Sequence, residues 1–358
     1  MVNKDKVLLI SGSNPDMAPF VGFYEKIFKK NSIKFDILYW NRHGYMRNPY
    51  PDSIVYERSF RNDYSTLRKL YESFLFYLFC KKELKKRHYK SIICFTIMPF
   101  LFFGHFLKKN YNTKYIFDIR DYSPILKNGI FRRIVEYIIK NSAATVISSE
   151  GFKVWLPKSI DYTISHNTAA ELLNTDYILP QRKQRLSILT IGYMIRFYPN
   201  DLIIDAFGGD EEMFLNFVGD GPVAEALKNY CLEKGYNNVS FSGRYNKEDE
   251  IGYYKAADMI NILLPHGINS DSCMSNRFYN AVLTRKPMIV NEGCYQAQLV
   301  EKYHLGVVIY DYHKIRETVQ SYWESFDVSL FNKGCVEFIE KVAEDIDLFE
   351  AKVITVCK

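Results

Sequence analysis

The stretch from Phe214 to Val290 alternates short apolar runs with helical segments, and few folds accommodate that alternation. Leu215 to Val218 reads as a strand, broken by Gly219-Asp220-Gly221-Pro222, with a helix starting at Val223. Val239 to Gly243 is a second strand, and a helix over Ile251 to Ala257 leads to a third at Met259 to Leu264. A polar loop, Asn269 to Arg277, then runs into a helix over Phe278 to Thr284 and a strand ending at Val290. Loops at the carboxyl ends of parallel strands, running into helix N-termini, are where open α/β sheets bind phosphates. Small polar residues and an arginine in this loop point to an anionic ligand.

The first half repeats the alternation. Val7 to Ile10, Phe35 to Tyr39, Ser91 to Phe95, Tyr115 to Asp118 and Ala144 to Ser148 are apolar runs of buried parallel-strand character. Helical stretches between them imply βαβ units, hence an α/β fold with doubly wound sheets. The 358 residues, at about 150 per domain, make two domains. Thr175 to Arg185 reads as the linker, with Pro180 and the basic cluster Arg182, Lys183 and Arg185. Ser187 to Gly192 opens the second domain, and Asn332 to Ala351 has helical spacing.

The ordered motifs resemble the family-4-like group of GT-B glycosyltransferases, in its capsular and surface-polysaccharide subgroup. Val218 to Pro222, Val239 to Gly243 and Ser275 to Asn280 ahead of Pro287 carry the resemblance in the second half. Phe117 to Pro124, Ser148 to Lys153 and Ser165-His166-Asn167 carry it in the first. The resemblance implies two Rossmann-like domains facing across a cleft. Residues 1–174 would be the acceptor side, joined by a returning C-terminal helix at about 335–358, and 186–334 the nucleotide-sugar donor side.

Residue by residue, the resemblance implies that Arg196, in the loop after Gly192, and Arg277, at a helix start, hold the donor diphosphate. Tyr193 stands where the family has an arginine, so Arg196 is the substitute cation. Ser275, Asn276 and Gly219 would line the diphosphate site, and Arg244 the base site. Ser272 and Asn280 occupy the positions of the family's paired glutamates. Asn280 would meet the ribose as a neutral group, and Ser272 the donor sugar. Arg285 replaces a glycine of the family. Arg120 and Asp121 would serve the acceptor side, with Asp16 as a second carboxylate there; a strand-end ion pair between Asp118 and Arg120 is the structural alternative. His166 reads as a packed or capping residue. In a retaining reaction the leaving phosphate takes the acceptor proton, so no protein base is required.

Seven scattered cysteines without a CxxC pair read as thiols in a reducing compartment. No HxxxH or HxH pair occurs, and Asp345-Ile346-Asp347 lies in the terminal helix, so no metal and no cofactor are expected. The N-terminus lacks a signal peptide's apolar core, and no run of apolar residues is long enough to span a bilayer. Residues 1–165 hold 28 Lys and Arg against 14 Asp and Glu, whereas the remainder is net acidic. With no nucleic-acid-binding motif, that excess points to an anionic membrane surface or a lipid diphosphate, not nucleic acid. Phe74 to Phe79, followed by Lys81, Lys82, Lys85, Lys86 and Arg87, fits either peripheral membrane attachment or a buried helix with a solvated end.

The sequence therefore reads as a cytoplasmic glycosyltransferase, peripheral on the inner face of the membrane. It would move a sugar from a nucleotide-sugar donor to a lipid-linked or oligosaccharide acceptor, retaining and metal-independent. The alternatives are a non-catalytic nucleotide-binding subunit and a nucleotide-sugar epimerase of the same fold.

Overall fold

The computed structural model describes residues 5–42, 44, 50, 52–61, 63–181 and 185–358, apart from the side chain of Asp16. Arg182 and Lys183, assigned to the linker cluster, lie outside the described residues. The chain divides into two compact units: residues 1–166 with 345–358, and residues 167–344.

The first unit is built on seven parallel strands: β1 (Val7–Ser11), β2 (Phe35–Asn41), β3 (Ile54–Glu57), β4 (Ser91–Phe95), β5 (Tyr115–Ile119), β6 (Ala144–Ile147) and β7 (Tyr162–Ile164). Their order in the sheet is β3-β2-β1-β4-β5-β6-β7, so the chain starts in the middle and winds both ways. The helices are α1 (Val21–Lys30), α2 (Thr66–Arg87), α3 (Gly104–Tyr111) and α4 (Gly129–Lys140). Because side chains alternate along a strand, each strand feeds two cores. Val7, Leu9, Ile37, Tyr39, Ile93 and Phe95 pack under Tyr24 and Phe28 of α1 and under Phe349, Val353 and Cys357 near the C-terminus. On the opposite face Trp40 stacks on Phe76 of α2, and Phe100 meets Phe117 edge-on. Every residue of β1, β4, β5 and β6 is buried, which is why these strands read as continuous apolar runs.

The second unit has six parallel strands: β8 (Leu186–Ile191), β9 (Met213–Val218), β10 (Val239–Gly243), β11 (Met259–Asn261), β12 (Met288–Asn291) and β13 (Gly306–Ile309), in the order β10-β9-β8-β11-β12-β13. Around them lie α5 (Asn200–Phe207), α6 (Ala224–Glu233), α7 (Glu250–Ala256), α8 (Ile268–Ser272), α9 (Asn276–Leu283), α10 (Tyr295–Tyr303), α11 (Ile315–Glu324) and α12 (Val328–Cys357). Residues of α12 up to Glu344 belong to this unit and those from Asp345 to the first. Its core joins Ile188, Leu215, Phe217, Met259 and Ile289 of the sheet to Ile204, Phe207 and Val319 of the helices.

Two readings differ from the structure. The strand expected to run to Leu264 stops at Asn261, because the Asn261 side chain accepts the N–H of Leu263 at 3.0 Å and turns the chain out of the ladder. The loop expected from Asn269 contains the short helix α8, held by Asp271, whose carboxylate accepts the N–H of Gly267 at 3.0 Å.

Candidate functional site

In the second unit the loops after β8, β9 and β10 are stitched together at the carboxyl edge of the sheet. Gly192 donates its N–H to Val218, Gly219 to Gly243, and Met194 to Asp220, at 2.9, 2.8 and 2.7 Å. The approach is close enough to require glycine: a Cβ on Gly219, whose φ is +137°, would lie 2.0 Å from the Gly192 carbonyl oxygen. Asp220 accepts the N–H of Gly221 at 2.7 Å and pairs with Arg244 at 3.0 Å. The Gly221 N–H, then Arg244, hold its carboxyl below the ordinary carboxylate range. Arg244 is thus a solvent-exposed partner of Asp220 at the place the sequence assigned to the base.

Helix α9 begins beside this edge. Ser275 caps it, its hydroxyl accepting the Phe278 N–H at 3.3 Å and donating to Gln296 at 2.8 Å. Asn276, exposed, and Arg277, half-buried, are the first two helical residues. The Arg277 Nε lies 3.9 Å from where a Cβ on Gly192 would project, and its Nη1 donates to the Asn261 carbonyl at 3.4 Å. No carboxylate pairs with it among the described residues, and desolvation pushes its guanidinium below the ordinary value, opposed only by Tyr254 and Tyr245. A partly desolvated cation at a helix N-terminus, without a counter-charge among the described residues, is an arrangement that suits an anion. Arg196 is exposed on the loop after β8. Among the described residues only its backbone carbonyl is engaged, accepting from Asn200 at 2.9 Å.

Asn280 lies one turn further along α9, buried. Next to it lies the fully buried Tyr254, whose hydroxyl faces Asn280 without a well-aligned hydrogen bond among the described residues. Ser272 is buried with its hydroxyl donating to the Ile268 carbonyl at 2.5 Å, back into its own helix, which occupies the hydroxyl proton internally. Arg285 has φ +56°, the left-handed conformation that a glycine would adopt without strain. Its side chain compensates: Nε donates to Asn332 at 3.0 Å, Nη1 to the Val282 carbonyl at 2.9 Å, and the guanidinium lies over the Tyr177 ring at 4.2 Å.

Sequence reasoning missed Asn261. It is fully buried, donates to the Thr190 hydroxyl at 2.9 Å and so ties β11 to β8 under Arg277. The available signal was an asparagine inside the apolar run Met259 to Leu264.

In the first unit, Arg120 is turned inward. Its Nη2 donates to Asp118 at 2.6 Å and to the Ser165 hydroxyl at 3.0 Å, and its Nη1 to the Ser165 carbonyl at 3.1 Å. The Nε approaches the other Asp118 oxygen at 2.6 Å, bent away from hydrogen-bond geometry. Tyr24 donates to the same carboxylate at 2.7 Å. Burial pushes the Asp118 carboxyl up, and Arg120 opposes it. This is the strand-end ion pair that the sequence offered as the structural alternative, and it engages the Arg120 guanidinium inside the first unit. Asp121 is exposed on the following loop, and the backbone of Asp16 lies in the turn Pro15–Met17 after β1. The Asp16 side chain lies outside the described residues. His166 contacts Asp345 at 3.0 Å, a packed pair. A second residue sequence reasoning missed is Arg42, just after β2. Its guanidinium lies over Trp40 at 4.6 Å and Phe60 at 4.4 Å, and burial pushes it down to about 10, still charged at neutral pH. It has no carboxylate partner among the described residues.

No protein-family model matches the chain, and no curated protein matches it in sequence. Solved structures do match it over nearly its whole length. The lipopolysaccharide outer core galactosyltransferase WaaB superposes with a TM-score of 0.68 at 14% identity, covering 98% of this chain and 99% of WaaB. The fold is GT-B. Anabaena HepE, solved in complex with UDP, gives a TM-score of 0.68 at 12% identity over 98% of this chain and 100% of HepE. A sucrose-phosphate synthase from Thermosynechococcus elongatus gives 0.66 at 15%, over 98% of this chain and 97% of the synthase. The two parallel sheets expected from the sequence are thus the two Rossmann-like halves of the GT-B architecture.

Proposed function

We propose that this GT-B chain is a glycosyltransferase that takes a nucleoside-diphosphate sugar as donor and a lipid-linked or oligosaccharide acceptor, in surface-polysaccharide synthesis on the cytoplasmic face of a membrane. One observation carries the reading: Arg277, half-buried at the start of α9 without a carboxylate partner among the described residues, beside the glycine loops of β8 and β9. HepE, of the same fold, is known with UDP and with UDP-glucose.

In this reading the diphosphate lies between the Arg277 guanidinium, the backbone N–H groups of Asn276 and Arg277 at the start of α9, and Arg196. As the bond from the anomeric carbon to the phosphate oxygen breaks, negative charge grows on the departing diphosphate. Arg277 and the helix N-terminus stabilise it with no rearrangement, the task a divalent cation performs elsewhere. The acceptor oxygen bonds to the anomeric carbon on the face the diphosphate leaves, and its proton passes to the departing phosphate oxygen. The product retains configuration and no protein base is needed. Asn280 takes a ribose hydroxyl. On the acceptor side, Asp121, Asp16 and Arg42, which pairs with no carboxylate among the described residues, follow β5, β1 and β2 in the chain.

The test is incubation with each class of nucleotide sugar and a polyprenyl-diphosphate-linked acceptor, with and without EDTA. The reading expects one donor to yield a product with the donor's anomeric configuration, unaffected by EDTA. A second reading, a nucleotide-binding subunit without turnover, is favoured by the Ser272 hydroxyl being bonded back into α8 and by a neutral Asn280. It expects nucleotide binding with neither transfer nor hydrolysis. Isomerised donor in the absence of acceptor would instead mark an epimerase.

A further inference from the structure

Helix α2 has two apolar faces. Phe76, Cys80 and Leu84 point into the sheet and are buried. On the opposite side, at helical spacing, Leu67, Tyr71, Phe74 and Leu78 are exposed by 80, 50, 40 and 43%. A helix that covers a sheet ordinarily turns charge to water on that side. Here the two acidic residues of the helix go the other way: Glu72 is buried against Arg58 and Arg68, and Glu83 against Lys86 and Arg87. The same outer face continues beyond Leu78 with Lys81, Lys82 and Lys85, none of them paired with a carboxylate among the described residues.

The patch does not end at α2. Phe74 meets Phe102 edge-on at 5.3 Å. Phe102 in turn lines an open apolar groove of about 500 Å³ with Leu101, Ile130, Ile134 and Tyr137 of the α3 and α4 layer. Ile130 is 69% exposed. Cations border it: Arg133 lines the groove, and Lys108 lies over the Tyr137 ring at 5.2 Å. Continuous exposed apolar surface of this kind marks an interaction site.

We infer that this face of the first unit docks on an anionic lipid bilayer, with Leu67, Tyr71, Phe74, Leu78 and Ile130 entering the headgroup boundary and Lys81, Lys82, Lys85, Lys108 and Arg133 meeting lipid phosphates. The occupant follows from the charge. Aromatic and aliphatic side chains fringed by unpaired lysines match an apolar layer beneath a negative one. A second copy of this chain would set those lysines against themselves. Among the described residues no helix is long and apolar enough to cross a membrane, so the contact is peripheral. It stands independently of the donor site, because vesicle binding is read without nucleotide sugar.

The test is flotation of the full chain with vesicles of phosphatidylcholine alone or mixed with phosphatidylglycerol, with analytical ultracentrifugation of the same samples without lipid. Binding is expected only with the anionic mixture, and it weakens as salt rises. Phe74→Ser with Leu78→Ser lowers partitioning by about tenfold, and Lys81→Gln with Lys82→Gln and Lys85→Gln by about a hundredfold. Both sets lie on the solvent side of α2, and unchanged melting temperatures confirm that each variant is folded. Equal binding to neutral and anionic vesicles, no binding by the wild type, or a wild-type dimer that Phe74→Ser and Leu78→Ser dissociate, each overturns the inference.

Discussion

The Arg277 guanidinium donates to the backbone carbonyl of Asn261 at 3.4 Å, so the cation at the head of α9 is aimed by the last residue of β11 and, among the described residues, by no acidic side chain. Asn261 is in turn held by Thr190 and Leu263. Replacing it with Leu leaves a buried hydroxyl and a backbone N–H unsatisfied, at about 1–3 kcal/mol for each group. Asn261→Leu is therefore expected to lower the midpoint of urea unfolding and, by shifting the backbone carbonyl that holds Arg277, to weaken nucleotide binding in calorimetry. Binding at wild-type strength by a folded Asn261→Leu protein would show that Arg277 needs no such support.

Two glycines at the same sheet edge separate conformation from crowding. Gly219 and Gly243 both have positive φ, but a Cβ on Gly243 meets nothing within 4 Å, whereas one on Gly219 strikes a backbone carbonyl. Gly243→Ala is expected to cost only the left-handed backbone, about 1–2 kcal/mol. Gly219→Ala must also displace the β8 loop and is expected to exceed about 3 kcal/mol. Urea unfolding of both variants checks the order.

Arg120 is expected to behave as a structural residue. Removing one partner of a buried, hydrogen-bonded ion pair costs about 3–5 kcal/mol. Arg120→Ala should therefore lower the melting temperature sharply, and Arg120→Lys should rescue it poorly, because a lysine cannot bond the carboxylate and Ser165 together. An Arg120→Ala protein that melts like wild type but fails to transfer sugar would return the residue to the acceptor side.

Arg42 carries a pH prediction. Its folded value lies below its unfolded one, so the unfolded chain binds the proton more tightly and stability rises as pH climbs through about 10. Below that pH the full desolvation penalty is present. Arg42→Met keeps the packing on Trp40 and Phe60 and removes the charge. It is expected to raise the melting temperature at pH 7 by about 2–4 °C, equivalent to about 1 kcal/mol in a unit of this size, with a smaller gain at alkaline pH. Calorimetry across that range reads both.

What the sequence disclosed follows from where side chains are buried. Ser91–Phe95 and Val239–Gly243 were legible to the residue because one is apolar after its first serine and the other is cut by glycine. Ile54–Glu57, Tyr162–Ile164 and Gly306–Ile309 escaped notice: they are three or four residues long and lie at sheet edges, where too few neighbours impose a pattern. Helix α2 was ambiguous for a related reason. Phe74 to Phe79 is apolar all round, and only the sheet decides that Phe76 goes in and Phe74 stays out. The Asp118–Arg120 pair was legible only as one of two readings, because Ser165, which accepts from Arg120, and Tyr24, which donates to Asp118, lie 45 and 94 residues away, beyond the reach of local pattern. The position of Arg277 at a helix start was legible, since Ser275 is a strong N-cap residue. Its lack of a carboxylate partner was not, because that depends on what folds against it.

The most direct test of the donor site is thermal denaturation of the wild type, Arg277→Ala and Arg277→Lys with UDP-, GDP-, dTDP- and CMP-sugars. A ligand that binds only the native state raises the melting temperature. The expected result is stabilisation of the wild type by one nucleotide class, absent in Arg277→Ala and partly restored in Arg277→Lys, with all three proteins melting alike without ligand. Equal stabilisation of the wild type and Arg277→Ala, or no stabilisation of the wild type by any nucleotide sugar, would contradict the assignment of Arg277 to the diphosphate.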